Sequence, residues 1–89
     1  MTQNNAPKIK VERTQLGVRM EKRLVKVLKA LAELHDMSLG DLLEGIVLNA
    51  FEGTSPFGDS AIEKINQLKA IYGVDYDSSA GHNFVEIGG

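Results

Sequence analysis

The sequence contains no cysteine and only two histidines, which excludes disulfide bonds and leaves few ligands for a structural metal. His35 and His82 lie far apart and without the short spacing that zinc ligands share. A chain of 89 residues forms one small domain, and the hydrophobic core of such a domain gives only marginal stability without disulfide bonds or a metal. Oligomerisation is the remaining route to a sufficient core, and we therefore expect a homodimer.

Long apolar runs are absent as well. No stretch is long enough to span a membrane, and residues 1–7 lack the apolar centre of a signal peptide. The absence of cysteine is compatible with a reducing compartment. These features predict a cytoplasmic protein that does not interact with a membrane.

The sequence also lacks the usual constellations of a catalytic site. We find no nucleophile–base pair, glycine-rich phosphate loop or paired carboxylates, since Asp75 and Asp77 lie in a polar tail. His35 is better explained as the end of a helix, where a positive charge is favourable, than as a metal ligand. We therefore predict no enzyme activity, no catalytic residue, no bound metal and no cofactor.

The net charge of −2 conceals an uneven distribution along the chain. Residues 1–30 carry eight basic residues against two acids, a balance of +6. Residues 31–89 carry two lysines against ten acids, a balance of −8. The split indicates a polar interaction surface, although a solvated helix face with ordinary lysines is the alternative. The basic residues of the first part are Lys8, Lys10, Arg13, Arg19, Lys22, Arg23, Lys26 and Lys29.

Residues 13–20 alternate apolar and polar side chains with a period of two, which predicts a β-strand. One face carries Leu16, Val18 and Met20, and the other carries Gln15, Gly17 and Arg19. The sequence offers no second convincing strand nearby, and an unpaired strand leaves its backbone groups without hydrogen bonds. We therefore expect this strand to pair with the same strand of a second copy, with its glutamine and arginine side chains outward.

Two amphipathic helices follow this strand. The first is predicted from about residue 21 to 36, and the second begins after an N-cap at Ser38 and ends before Gly53. Their apolar stripes, together with the strand, predict a core shared between two copies. The expected core residues are Leu16, Val18, Met20, Leu28, Leu31, Leu43, Ile46 and Val47.

The remaining sequence predicts one further helix and a tail. Ser60 and Glu63 form a capping-box pattern, and Gly73 suits the end of a helix over about residues 60–72. Beyond this helix the chain is acidic and polar, and residues 84–87 are its only expected anchor.

The order of strand, basic helix, Met-Ser-Leu-Gly turn and second helix resembles the ribbon-helix-helix family of Arc/MetJ-type repressors over residues 13–51. The resemblance implies a mainly α homodimer whose two strands pair as an antiparallel ribbon that enters the major groove of DNA. The matching base-reading positions, which alternate along the outer face of the strand, are Gln15, Gly17 and Arg19. The matching phosphate-binding positions, at the start of the second helix, are Ser38, Leu39 and Gly40.

The chemistry of these residues supports the same roles. Arg19 can form two hydrogen bonds with guanine and Gln15 two with adenine, and each such pair discriminates by about 1–3 kcal/mol. Gly17 has no side chain, so either the ribbon approaches the bases closely or readout there is poor. The alternative for Arg19 and Gln15 is an exposed strand residue without a ligand. Further phosphate contacts are expected from the basic residues Arg13, Lys22 and Arg23.

We therefore expect a sequence-specific regulator of transcription, by the resemblance a repressor in the prokaryotic nucleoid, that binds double-stranded DNA. The alternative is a protein-interaction dimer such as an antitoxin, whose C-terminal extension binds a partner protein. A packed third helix favours the regulator, whereas a free tail favours the partner. The expected parts are a flexible arm over residues 1–12, a dimerisation and DNA-binding domain over 13–53, and a C-terminal extension over 54–89.

Overall fold

The structure, a computed structural model, describes residues 8–87 and consists of three helices joined by short loops. The helices are α1 (Lys22–Leu34), α2 (Leu39–Glu52) and α3 (Asp59–Tyr72), followed by a single 3₁₀ turn at Ser78–Ala80. The expectation of a mainly α chain is confirmed. Of the arm expected over residues 1–12, residues 1–7 lie outside the described part. No helix between residues 8 and 87 is both long and apolar enough to cross a membrane.

Local caps explain where α1 and α2 begin. The Glu21 carboxylate accepts a hydrogen bond from the backbone amide of Arg23 and caps the start of α1. Asp36 adopts a left-handed backbone conformation (φ 55°) in the turn that follows α1. Ser38 Oγ then accepts a hydrogen bond from the amide of Asp41 and caps α2, which confirms the predicted N-cap.

Glycines end α2 and α3, as the sequence predicts. Gly53 and Gly73 take left-handed φ values of 73° and 74°, which glycine adopts without a steric clash. The predicted capping box at Ser60 is wrong, because α3 begins one residue earlier and Gly58 stands at its N-cap position. Ser60 therefore lies inside the first turn, where its side chain cannot cap the helix.

The predicted strand over residues 13–20 is wrong. Residues 8–20 are irregular, and neither a strand nor a sheet is present within residues 8–87. The reason is the lack of a partner, because the backbone of this segment makes no backbone hydrogen bond to the described chain. Leu16, Val18 and Met20 are accordingly 69%, 65% and 45% exposed. The intermolecular ribbon, and with it the ribbon-helix-helix fold, is therefore not observed.

The core forms where α1 packs against both α2 and α3. Leu31 is 1% exposed and makes the buried cluster together with Ala32 and Leu42. The partly buried side chains that pack around this cluster are Leu28, Ile46, Phe57, Ile65 and Leu68. Three of the predicted core residues belong here, whereas Val47 and the apolar residues at positions 16, 18 and 20 remain exposed.

The chain buries little apolar surface for its size. Within residues 8–87, the buried hydrophobic residues are Val27, Leu31, Ala32, Leu42 and Val74. Large apolar side chains such as Leu48 and Phe51 on α2 remain exposed. A single chain with so small a core is marginally stable.

Candidate nucleic-acid interface

The N-terminal segment (residues 8–20) exposes all of its residues to solvent. The predicted base-reading residues Gln15, Gly17 and Arg19 lie in it, and none of them packs into the core. A Cβ atom at Gly17 would meet nothing within 4 Å, so no contact within the described chain requires glycine there. The segment leads directly into α1, whose exposed lysines are Lys22, Lys26 and Lys29.

Arg13 fastens the N-terminal segment to α2. Its Nε donates to Glu44 Oε2 at 3.0 Å and its Nη2 donates to Glu44 Oε1 at 2.9 Å, a bidentate arrangement. The same Nη2 lies 3.2 Å from Asp41 Oδ1. The hydrogen bond from Arg13 lowers the pKa of the Glu44 carboxyl below its usual value. A phosphate contact by Arg13, as predicted, must therefore compete with two carboxylates that are already in place.

The predicted phosphate site at the start of α2 has a mixed environment. The amides of Leu39 and Gly40 lie in the first turn, where no intrahelical acceptor exists and the helix dipole is positive. A Cβ atom at Gly40 would touch only Ser38 Oγ, at 3.9 Å, so the surface there is open. Asp41 adds a negative charge to the same turn, and its ion pair with Arg13 offsets that charge.

The start of α1 presents two cations in different situations. Lys22 is exposed and makes no ion pair with any residue from 8 to 87. Arg23 Nη1 donates to the carbonyl oxygen of Gly73 at 2.7 Å and lies 3.7 Å from Asp75 Oδ1. Arg23 Nε also lies 3.3 Å from both carboxylate oxygens of Glu21. Arg23 therefore joins the start of α1 to the end of α3.

The C-terminal segment (residues 74–87) folds back on the start of α1. Val74 is buried, and the Tyr76 hydroxyl donates a hydrogen bond to Glu21 Oε1 at 2.6 Å. The ring of Phe84 meets the ring of Tyr76 edge-on, with centroids 5.2 Å apart. Burial and the hydrogen bond to Glu21 raise the pKa of Tyr76 to about 12, and the same hydrogen bond lowers the pKa of Glu21.

Two arginines of the predicted site thereby face the C-terminal segment. Glu86 forms an ion pair with Arg19, and the Tyr76 ring centroid lies 5.6 Å from the central guanidinium carbon of Arg23. Sequence reasoning missed these contacts, because Arg19 and Glu86 are 67 positions apart and no local pattern links them. The only available signal was the acidic C-terminal part set against a basic N-terminal part.

The structure therefore separates the predicted site residues. Arg13 lies against the start of α2, whereas Arg19 and Arg23 lie against the C-terminal segment. Gln15 and Gly17 are exposed between these two places.

The ionisation of Tyr76 provides a test of C-terminal docking. In the docked chain its pKa is about 12, whereas an ordinary tyrosine has a pKa of about 10. Neutral Tyr76 therefore stabilises docking, fully below about pH 10, and this contribution is lost as the pH rises through about 12. The test is a pH titration of a Tyr72→Phe variant, in which Tyr76 is the one remaining tyrosine. The midpoint of its tyrosinate absorbance should lie near pH 12.

A second variant checks the cause of this shift. Adding Glu21→Gln removes the carboxylate charge beside the hydroxyl, so the midpoint should fall. Circular dichroism over the same pH range reports whether the helices remain folded. An ordinary tyrosine midpoint in both variants, with the helices intact, would mean that Tyr76 does not dock on Glu21.

Comparison with protein-family models, with curated proteins and with solved structures finds no match for this chain.

Proposed function

We propose that the protein is a cytoplasmic, homodimeric, sequence-specific DNA-binding regulator of transcription, most simply a repressor. The observation that carries this proposal is the exposed basic run made by the N-terminal segment and α1. Within it, Gln15 and Arg19 carry the side-chain groups that form paired hydrogen bonds with base edges. Cations on such a run bind the phosphate backbone, while the side chains between them distinguish sequences.

A second copy of the chain completes the core in this proposal. Within residues 8–87 only Val27, Leu31, Ala32, Leu42 and Val74 form the buried hydrophobic core, so the single chain leaves much apolar surface for a second copy to cover. Apolar surface is available on α2 at Val47, Leu48 and Phe51. An apolar cleft of about 350 Å³ also opens between α1, α3 and the C-terminal segment. Pairing would bring two basic segments into one molecule and double the positive surface.

Each proposed contact has a distinct role. Arg19 and Gln15 contact bases, and Gly17 between them allows the backbone to approach closely, because glycine has no side chain. The phosphate contacts are Arg13, Lys22, Arg23, the N-cap residue Ser38 and the first-turn residues Leu39 and Gly40. Base contacts would set preference, and phosphate contacts would set overall affinity and its dependence on salt.

The second candidate function is a protein-interaction dimer such as an antitoxin. The exposed apolar side chains of Val85 and Ile87 in the C-terminal segment favour it, because such side chains are common in protein interfaces. The packing of α3 on α1 and the burial of Val74 favour a self-contained regulator instead. Co-purification of a partner through residues 54–89, with no binding to DNA, would decide for this candidate.

Binding to random-sequence duplex DNA tests the regulator. The affinity should be measurable at low salt and fall steeply between about 50 and 200 mM, because each phosphate contact releases condensed counterions. Selection from a random pool should then recover a preferred sequence with two-fold symmetry. In Arg19→Ala, the preference should relax at one base position of each half-site by about 1–3 kcal/mol.

Lys64→Ala on α3 is the matched control, since it removes one positive charge outside the proposed surface. It should leave the preferred sequence unchanged. Absence of binding at low salt contradicts the proposal as a whole. Full affinity and unchanged preference in Arg19→Ala would instead mean that Arg19 does not read bases.

A further inference from the structure

We infer that the C-terminal segment is an intramolecular competitor of DNA, whose acidic side chains occupy Arg19 and Arg23 until DNA displaces them. The competition presupposes the proposed DNA binding and adds a regulatory element to it. DNA binding and release of residues 74–87 would then be coupled, and the affinity of the whole chain would be lower than its basic surface alone provides.

The contacts of Arg23 are the first support. Its Nη1 donates to the Gly73 carbonyl oxygen at 2.7 Å and lies 3.7 Å from an Asp75 carboxylate oxygen, while its guanidinium lies over the Tyr76 ring. A guanidinium has a limited set of donors, and carboxylates and phosphates use the same ones. Arg23 therefore cannot keep these contacts and also bind a phosphate with the same donors.

The ion pair between Arg19 and Glu86 is the second support. Arg19 is the proposed guanine reader, and the pair places a carboxylate where a base edge would lie. Both side chains are largely exposed, and an exposed ion pair is weak. A polyanion can therefore displace this ion pair. The segment lowers the affinity of the chain for DNA but does not prevent binding.

Apolar anchors hold the segment in place. Val74 is buried, Tyr76 is hydrogen-bonded to Glu21, and Phe84 packs against the Tyr76 ring. These contacts hold Asp75 near Arg23 through packing and a hydrogen bond, in addition to the attraction between the two charges. A tethered acid has an effective concentration on the order of millimolar, far above that of a free DNA site.

The net charge of the C-terminal segment also supports competition with DNA. The segment holds three acids and no lysine or arginine, so removing their charges would change the chain from −2 to +1. The acids are Asp75, Asp77 and Glu86. In a dimer the change is counted twice, which alters the net charge from −4 to +2. The full chain thus approaches DNA with a net repulsion that its own C-terminal segment supplies.

The test uses the full chain with Asp75→Asn and Glu86→Gln together. These substitutions remove the two charges of the C-terminal segment that face Arg23 and Arg19, and they keep the apolar anchors and the Glu21 carboxylate beside Arg23. The matched control is Glu52→Gln with Glu63→Gln, which removes the same charge from exposed sites on α2 and α3. Affinity for one random-sequence duplex is measured for all three proteins, and thermal melting verifies that each is folded.

We expect the double variant to bind DNA roughly three- to tenfold more tightly than the wild type, with a smaller gain in the control. NMR spectra of the wild type should also show amides of residues 74–86 moving towards disordered positions when DNA is added. Equal gains in both variants, or a segment that stays docked on DNA, would overturn the competition but leave DNA binding intact. If none of the three proteins binds at low salt, the proposed function fails and the competition fails with it.

Discussion

Folding and dimerisation are expected to be one event, with a melting temperature that rises by about 3–6 °C for each tenfold increase in concentration. The reason is the small core of the single chain, which centres on Leu31 and leaves Val47, Leu48 and Phe51 of α2 exposed. Circular dichroism over a dilution series, with the mass in solution from light scattering, measures the effect. A monomer whose melting temperature is independent of concentration would contradict it.

An aspartate on the exposed apolar face of α2 tests directly whether a second copy covers that face. Val47 on α2 is 44% exposed in the single chain, so Val47→Asp should cost little unless a second copy covers that face. Within a dimer, each uncompensated buried charge costs on the order of 3–5 kcal/mol, enough to dissociate so small a protein. Ile71→Asp is the control, since Ile71 lies on α3 and is 72% exposed. Equal effects of the two substitutions would place the interface elsewhere.

Replacing Lys22 with glutamine is expected to weaken binding to all DNA sequences by on the order of 50-fold near 0.1 M salt, if each copy loses one phosphate contact. The slope of the logarithm of affinity against the logarithm of salt concentration should fall by about 1.8 in the dimer. Lys22 is exposed and stands first in α1, where a positive charge opposes the helix dipole. Its loss therefore should not destabilise the fold.

The control for this prediction is Lys64→Gln on α3, which removes the same charge from an exposed site away from the N-terminal segment. It should change the slope much less than Lys22→Gln does. The two variants should share the sequence preference of the wild type, because phosphate contacts carry no sequence information. A change in preference with Lys22→Gln, or identical slopes in both variants, would remove Lys22 from the phosphate contacts.

The helices could be predicted from the sequence because their signals are local. Ser38 caps α2 by a hydrogen bond to a residue three positions away, and Gly53 and Gly73 end helices through their own backbone conformation. Leu28, Leu31 and Ile46 recur at helical spacing and meet in the core. The same local reasoning failed at Ser60, where α3 begins one residue earlier and no side chain caps it.

Tertiary structure decided what local patterns could not. Alternation over residues 13–20 indicates a strand, but strand structure depends on a partner, which the described chain does not provide. Arg13 pairs with Glu44 across 31 positions, and Tyr76 with Glu21 across 55. Whether such residues meet depends on how α1 packs against α2 and α3. The sequence by itself determined the helices and the separation of charge, because both can be read along the chain without knowing the packing. Packing determined which cations of residues 8–87 form ion pairs with carboxylates.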